Sequence, residues 1–222
     1  MRSRLSFPAV IVEIAVIVGS ILLAFGIDAW WDNRKDRMEE QTVLAGLEAE
    51  FVANVDRVAT VIARHESFAQ LTDELDAMPD SDVLEMPVEA TDQYMRAMGQ
   101  YMTFEPRGGT LAGVVSGGQL ALIQDHALRE LLMEWLRRLD DAEEEAGFLT
   151  RTSERITLRE SRIIDLRAPV TTEALLKIRR DDEYMALVRA KLFFASLYVG
   201  ELRALMRQGE NIIVAIQSNR GN

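Results

Sequence analysis

The chain has 222 residues, no cysteine and a formal net charge of −11. That length suits a membrane segment plus one domain of about 190 residues, enough to bury a core. Without cysteine there are no disulfides, thiolate metal sites or cysteine nucleophile. The acidity argues against nucleic-acid binding, which needs clustered Lys and Arg to neutralise phosphates.

The first element is the stretch "FPAVIVEIAVIVGSILLAFGIDAWW", residues 7–31, after a short tail of residues 1–6. Residues 7–27 carry one charge, Glu13, and at about 1.5 Å per helical residue they cross the roughly 30 Å hydrocarbon layer of a bilayer. A single transmembrane helix is expected. Trp30 and Trp31 sit where an interfacial aromatic belt belongs, with Arg34, Lys35 and Arg37 just beyond. A cleaved signal peptide is the rival reading, since Ala24-Phe25-Gly26 is a passable cleavage site, but the apolar run is long and contains an acid. Cations on the two sides balance: Arg2 and Arg4 with the amino terminus against Arg34, Lys35 and Arg37. The basic tail lies closer to the apolar run, which favours a cytoplasmic amino terminus and, in a bacterium, a periplasmic domain on the inner membrane.

Glu13 has two readings. It snorkels to the nearer interface or stays protonated, or it docks the helix against another one. Glu13, Ile17, Ser20 and Ala24 fall on one face, while Ala15, Gly19, Leu22 and Gly26 share the opposite side. Small residues permit close backbone approach, so Glu13, Ile17, Gly19, Ser20 and Ala24 are the candidate packing residues, for a homo-oligomer or a larger membrane complex.

Residues 32–222 read as an all-α extramembrane domain, an elongated antiparallel helical bundle. A long helix over about 36–77 is expected from Leu44, Leu47, Phe51, Val55, Val58, Ile62, Phe68, Leu71 and Leu75, either separate from the anchor or continuous with it. Its other face, with Glu39, Glu40, Glu48 and Glu50 among many acids, reads as solvated. Pro79 and Pro87 break the chain, shorter helices lie within 88–124, the first reaching Thr103, and five glycines in residues 108–118 mark an elbow. A phosphate cradle would need Gly-Lys-Ser/Thr or G-x-G-x-x-G, and neither is there. Asp125 is a candidate cap for a helix over about 126–166, whose seam Leu128, Leu132, Trp135, Leu139, Ala142, Ala146, Leu149, Ser153, Ile156, Glu160 and Ile163 alternates spacings of four and three. After Pro169, with Asp181 or Asp182 as cap, the last helix spans about 182–218. Its expected seam is Met185, Val188, Leu192, Ala195, Val199, Leu202, Met206, Gly209, Ile213 and Ile216, free of charge, and Tyr184, Leu187, Phe194, Tyr198 and Leu205 widen that stripe, which places this helix centrally. The acidic first helix and residues 140–146 face a basic set, Arg151, Arg155, Arg159, Arg162, Lys177, Arg179 and Arg180, as complementary surfaces.

Little here points to chemistry. His65 and His126 are the only histidines, and neither a three-histidine zinc site nor a Glu-x-x-His pair occurs. His65 reads as a satisfied core histidine and His126 as a surface residue one turn from Glu130. No catalytic, cofactor-binding or metal residue is nominated, and no cofactor is expected.

Two stretches, "VEIAVIVGSILLAFGIDAWWDNRKD" and "GTLAGVVSGGQLALIQDHALRELLMEW", resemble a bacterial family of unknown function. Its members open with an anchor of the form Glu-Ile-x-Leu-x-x-x-Gly-Ile-Leu-x-Ala-Leu-x-Ile-x-x-Trp and later carry Ser-Gly-x-Leu-x-Leu-Ile-x-Asp-x-x-Leu-Arg. Glu13, Ile14, Gly19, Ala24 and Trp30 or Trp31 fit the first. Ser116, Gly117, Leu120, Leu122, Ile123, Asp125, Leu128 and Arg129 fit the second, with one residue added at Gly118; Ser20, Phe25 and Gly26 depart from the pattern. The resemblance implies a bacterial membrane-anchored helical protein and supplies no activity.

The expected function is therefore protein–protein interaction by a single-pass membrane protein, as accessory subunit of a larger membrane complex or as homo-oligomeric scaffold, with lipid bilayer and membrane protein subunits as partners. The alternative is an extracytoplasmic ligand-sensing module working through a partner, since only six residues precede the apolar run. A dry, filled core favours the first; a polar pocket near the glycine elbow favours the second.

Overall fold

The computed structural model describes the backbone of residues 7–220 and the side chains of residues 16–220. The expected tail, residues 1–6, and the side chain of Glu13 lie outside what is described. Helices account for the regular structure, and there is no strand among the described residues.

Helix α1, Phe7–Ala77, is one uninterrupted helix of 71 residues that joins the apolar segment to the first long helix of the domain. Between Pro8, tolerated in a first turn, and Pro79 nothing interrupts it. Short helix α2, Asp80–Leu84, and helix α3, Val88–Gly99, each begin directly after a proline. The fixed φ of Pro79 and Pro87, −61° in both, sets up the turn that follows. Helix α3 stops at Gly99 instead of reaching Thr103, and residues 100–109 run without regular structure to α4, Thr110–Ser116, and a 3-10 helix, Gln119–Leu122. Helix α5, His126–Ile163, starts on the expected Asp125 cap, whose carboxylate accepts from the Ala127 and Leu128 N–H groups at 2.8 and 3.3 Å. Helix α6, Thr172–Arg179, was not anticipated from sequence; Thr171 caps it. Helix α7, Asp182–Arg220, begins at Asp181, which accepts from the Tyr184 N–H at 2.8 Å.

Helix α7 packs along both α1 and α5 and runs opposite to each. Glu66 pairs with Arg203 at 2.5 Å and Asp80 with Arg180 at 2.5 Å between α1–α2 and the α6–α7 end, while Glu48 meets Arg220. Asp125 accepts from Asn219 at 2.7 Å at one end of the α5–α7 pair, and Arg159 grips Asp181 at 2.9 and 2.5 Å at the other. The basic residues do pair, but not with the acids expected: Arg159 meets Asp181 and Glu183, Arg179 and Arg180 meet Asp80, all outside α1 and residues 140–146, and Arg151 lies over the Phe148 ring, 4.7 Å from its centre.

The α5 seam is as expected, but those of α1 and α7 are not. On α7 the innermost residues are Tyr184, Val188, Lys191, Ala195, Tyr198, Leu202, Leu205, Gly209, Ile212 and Ile216. Leu192, Met206 and Ile213 are only partly buried, so the seam does contain a charge, Lys191. On α1 the buried row is Glu40, Leu44, Leu47, Phe51, Asn54, Val58, Val61, His65, Phe68, Thr72 and Leu75. Both rows alternate spacings of four and three without a slip; the expected seams sit one position off beside polar residues at Asn54, Thr72 and Lys191, and beside apolar ones at Leu205 and Ile212, where two neighbouring apolar residues both fit the period. These polar positions also divide the interior. One apolar cluster holds residues from Leu44 to Ile62 of α1, and the other begins at Leu75. His65, Thr72, Thr152, Ser153 and Lys191 are buried at the level between them.

Glycine is required by geometry at Gly118 and Gly209, and at Gly117, where a Cβ would lie 2.8 Å from the Gly113 carbonyl oxygen. Gly118 has φ +69°, the left-handed turn between α4 and the 3-10 helix. At Gly209 a Cβ would lie 2.8 Å from Val55 Cγ2 and 3.1 Å from Trp135 Cζ3, so α7 approaches both neighbours closest there. Gly209→Ala is expected to lower unfolding stability by about 1–2 kcal/mol, the overpacking outweighing the roughly 1 kcal/mol gained in helix propensity. Urea unfolding of the detergent-solubilised chain checks this; a more stable variant would show that the three helices can move apart.

Candidate functional site

The apolar end of α1 stands clear of the rest. From Val16 onward it is long and apolar enough to cross a membrane, and none of that window is buried. Leu22, Leu23 and Phe25 are 66–67 % exposed. Of the expected packing residues, Ile17 is exposed, Gly19 has nothing within 4 Å of an added Cβ, and Ala24 is exposed. The Ser20 hydroxyl donates to the Val16 carbonyl at 2.7 Å, so its donor is satisfied within its own helix. Trp30 and Trp31 are both exposed, their ring centres 6.2 Å apart, and Arg34 lies 5.8 Å from the Trp30 ring centre.

The second feature is the segment from the end of α3 to the start of α5. It runs back along α1, and side chains from α1 and α7 satisfy its backbone. Lys191 Nζ donates to the carbonyls of Ala97, Met98 and Gln100 at 2.7, 2.9 and 2.8 Å. His65 Nε2 donates to the Met102 carbonyl at 2.8 Å, and the Phe104 N–H donates to the Tyr198 hydroxyl at 2.7 Å. Arg57 donates to the Glu105 carbonyl at 3.2 Å. Asn54 both donates to the Arg107 carbonyl and accepts from its N–H, at 3.0 and 2.7 Å. Glu50 accepts from the Thr110 N–H at 2.7 Å, capping α4 in place of a local side chain, and Glu40 accepts from the Gln124 N–H at 2.6 Å. Glu40 and Glu50 are thus structural acceptors and not part of a solvated face. His65 is the satisfied core histidine expected, and His126 stays at the surface, 3.4 Å from Glu130.

Lys191 is 1 % exposed, and its three carbonyl partners are among the last of α3, where a cation suits the helix dipole. Burial nevertheless pushes its pKa down to about 7. Burial likewise lowers the His65 pKa, with the charge of Lys191 adding to it against the bond to Met102. Nearby, burial raises the Tyr184 and Glu160 pKa values.

Beside this strapped segment lies a groove of about 540 Å³, with Phe104 and Glu105 on one side, Asp140, Glu143 and Gly147 of α5 on the other and Tyr198 at its floor. A second groove, of about 850 Å³, lies between α1 at Trp31–Val43 and the 3-10 helix. Among the described residues no group of three or more His, Asp or Glu side chains is placed to hold a metal ion.

Sequence reasoning missed Glu40, Glu50, Asn54 and Lys191. The signal for Lys191 was present: it is one of three lysines beside 22 arginines and keeps the four-three spacing between Val188 and Ala195. Comparison with family models, with curated proteins and with solved structures gives no match.

Asn54→Ala leaves the Arg107 N–H and carbonyl without their partner, so a loss of about 1–3 kcal/mol is expected. Faster tryptic cleavage after Arg107 reads the same event locally, and unchanged cleavage would contradict it. Lys191 titrates at about 7 in the folded chain against 10.5 ordinarily. Between those values the unfolded chain binds more protons there, so stability rises with pH. Urea unfolding from about pH 7 to about pH 9.5 is expected to show that rise, and Lys191→Met to remove it. A flat wild-type profile would contradict it.

Proposed function

We propose that this protein is a single-pass membrane protein whose helices form an elongated antiparallel bundle and which acts by binding other proteins, as accessory subunit of a membrane complex or as homo-oligomeric scaffold. The observation that carries this reading is the end of α1: residues 16–31 are exposed throughout, and no part of the domain covers them. In water an uncovered row of Ile, Leu, Phe and Trp on a free helix is costly, and lipid or a second helix removes that cost. Trp30 and Trp31 then mark the interface, and Gly19, Ala24 and Ile17, with Glu13, are the positions at which another helix would approach. The resemblance to a bacterial family of unknown function favours a bacterial inner membrane, and the basic residues Arg2 and Arg4 close to the apolar run favour a cytoplasmic amino terminus and a periplasmic domain.

Interaction rather than catalysis is favoured by what the polar interior does. Glu40, Glu50, Asn54, His65 and Lys191 are each engaged with the chain's own backbone, which gives them a structural role. The sensing alternative rests on the groove of about 540 Å³ beside residues 103–106, whose carboxylates Glu105, Asp140 and Glu143 would suit a cationic ligand.

Extraction from native membranes in mild detergent, then sizing and mass spectrometry, separates the readings. Co-migration with other membrane subunits, or a homo-oligomer that Gly19→Leu or Glu13→Leu dissociates, is the expected result. A lone chain unaffected by both substitutions would overturn the interaction reading and bring forward the ligand-binding one.

A further inference from the structure

The groove of about 850 Å³ at the base of the domain joins two parts of the chain that are far apart in sequence. Trp31, Arg34, Lys35 and Met38 of α1 form one wall, and Gln119 and Leu122 of the 3-10 helix form the other. The 3-10 helix is held there by the backbone bond of Gln124 to Glu40 and, through α4, by Glu50. Both stretches that carry the family resemblance therefore meet at this groove.

Its height matters. It opens where the apolar row of α1 ends, and Trp31 to Lys35 spans about 6 Å of helix. The headgroup layer of a bilayer is about 5–8 Å thick on each side. If residues 7–27 span a membrane, the Arg34 and Lys35 backbone stands about 10–12 Å beyond the hydrocarbon, and these long side chains, tilted toward the amino terminus, reach back to the level of the lipid phosphates. Of the walls, Trp31, Met38 and Leu122 are apolar, Arg34 and Lys35 are cationic and the Gln119 amide can donate; Glu39 also lines the groove, and the Thr42 hydroxyl already donates to the Met38 carbonyl at 2.9 Å. Arg34 and Lys35 are exposed, and Lys35 is engaged only loosely with Glu39, at 3.8 Å. By helix register Asp32 and Asp36 fall on the adjoining flank and do not line the groove. In a chain of net charge −11, two cations against the single carboxylate of Glu39, beside an apolar wall at this height, leave the groove net positive and complementary to an anionic lipid.

We infer that this groove seats the headgroup of an anionic phospholipid from the surrounding leaflet, fixing the base of the domain against the membrane surface. The inference rests on the membrane reading above, and its test separates the two. Flotation of the full chain with phosphatidylcholine vesicles reports on the anchor alone. Native mass spectrometry of lipids retained after release from mixed phosphatidylglycerol–phosphatidylcholine nanodiscs reports on the groove. The wild-type chain is expected to float and to retain phosphatidylglycerol over phosphatidylcholine by about tenfold, a difference of about 1.4 kcal/mol. The pair Arg34→Gln with Lys35→Gln is expected to bring the two lipids near parity. Gln119→Glu, which places a carboxylate on the opposite wall, is expected to do the same, while Arg37→Gln, outside this groove, keeps the wild-type preference. All four positions are exposed, and far-UV circular dichroism checks that each variant folds. Floating chain with equal retention of both lipids overturns the inference and leaves the anchor standing. An equal loss in Arg37→Gln reduces the effect to general surface charge and overturns the groove. Displacement of the lipid by inorganic phosphate assigns the cations to a free anion instead and overturns it too. Failure to float on any vesicle overturns the membrane reading and this inference together.

Discussion

The structure depends on one constraint: residues 97–124 press against α1 and α7 with much of their backbone outside any helix, and buried N–H and carbonyl groups must be paired. A strand would solve this with a ladder, but the described residues contain none. Side chains solve it instead. Glu40, Asn54 and His65 occupy seam positions of α1, Lys191 and Tyr198 seam positions of α7, and each turns its polar atom onto the crossing backbone.

That solution shapes everything else. Polar residues at the level of His65, Ser153 and Lys191 separate the interior into two apolar clusters, so the two ends of the domain have their own cores. The contacts along α1 from His65 back to Glu40 also carry the chain from the far end of the domain to its base, where the glycine elbow and the 3-10 helix sit beside the end of the apolar segment. An ammonium at Lys191 can do what a guanidinium could not do as well. Its three donors point from one compact centre at three converging carbonyls at the end of α3, whereas the planar fork of Arg suits two parallel acceptors.

Helix type, number of long helices, their order and the central place of α7 were legible in the sequence, because 3.6-residue periodicity over five or more turns is a strong signal. The α5 seam was legible residue by residue because its polar interruptions, Ser153 and Glu160, stayed in phase with apolar neighbours. The seams of α1 and α7 were read one position off at Val55, Leu71, Leu192, Met206 and Ile213. An apolar residue adjoins each true seam position there, and periodicity cannot tell a buried Asn or Lys from a solvated one without knowing what it binds. Helices α2 and α6 were missed because five and eight residues carry too little period. The partners of Glu40 and Glu50 lie 84 and 60 residues away, so nothing local marks those acids as caps.

If α1 spans a membrane as proposed, the elbow strapped to the base of the domain lies at the membrane surface. The absence of cysteine makes single-site spin labelling clean. The most direct measurement is the membrane depth of labels at Leu23, Gln119 and Arg167 in vesicle-reconstituted chain, read by power saturation with oxygen and a water-soluble nickel chelate. The account predicts a deep label at Leu23, an interfacial one at Gln119 and a fully aqueous one at Arg167. Leu23 in water would remove the membrane, and Gln119 as aqueous as Arg167 would detach the elbow from the base.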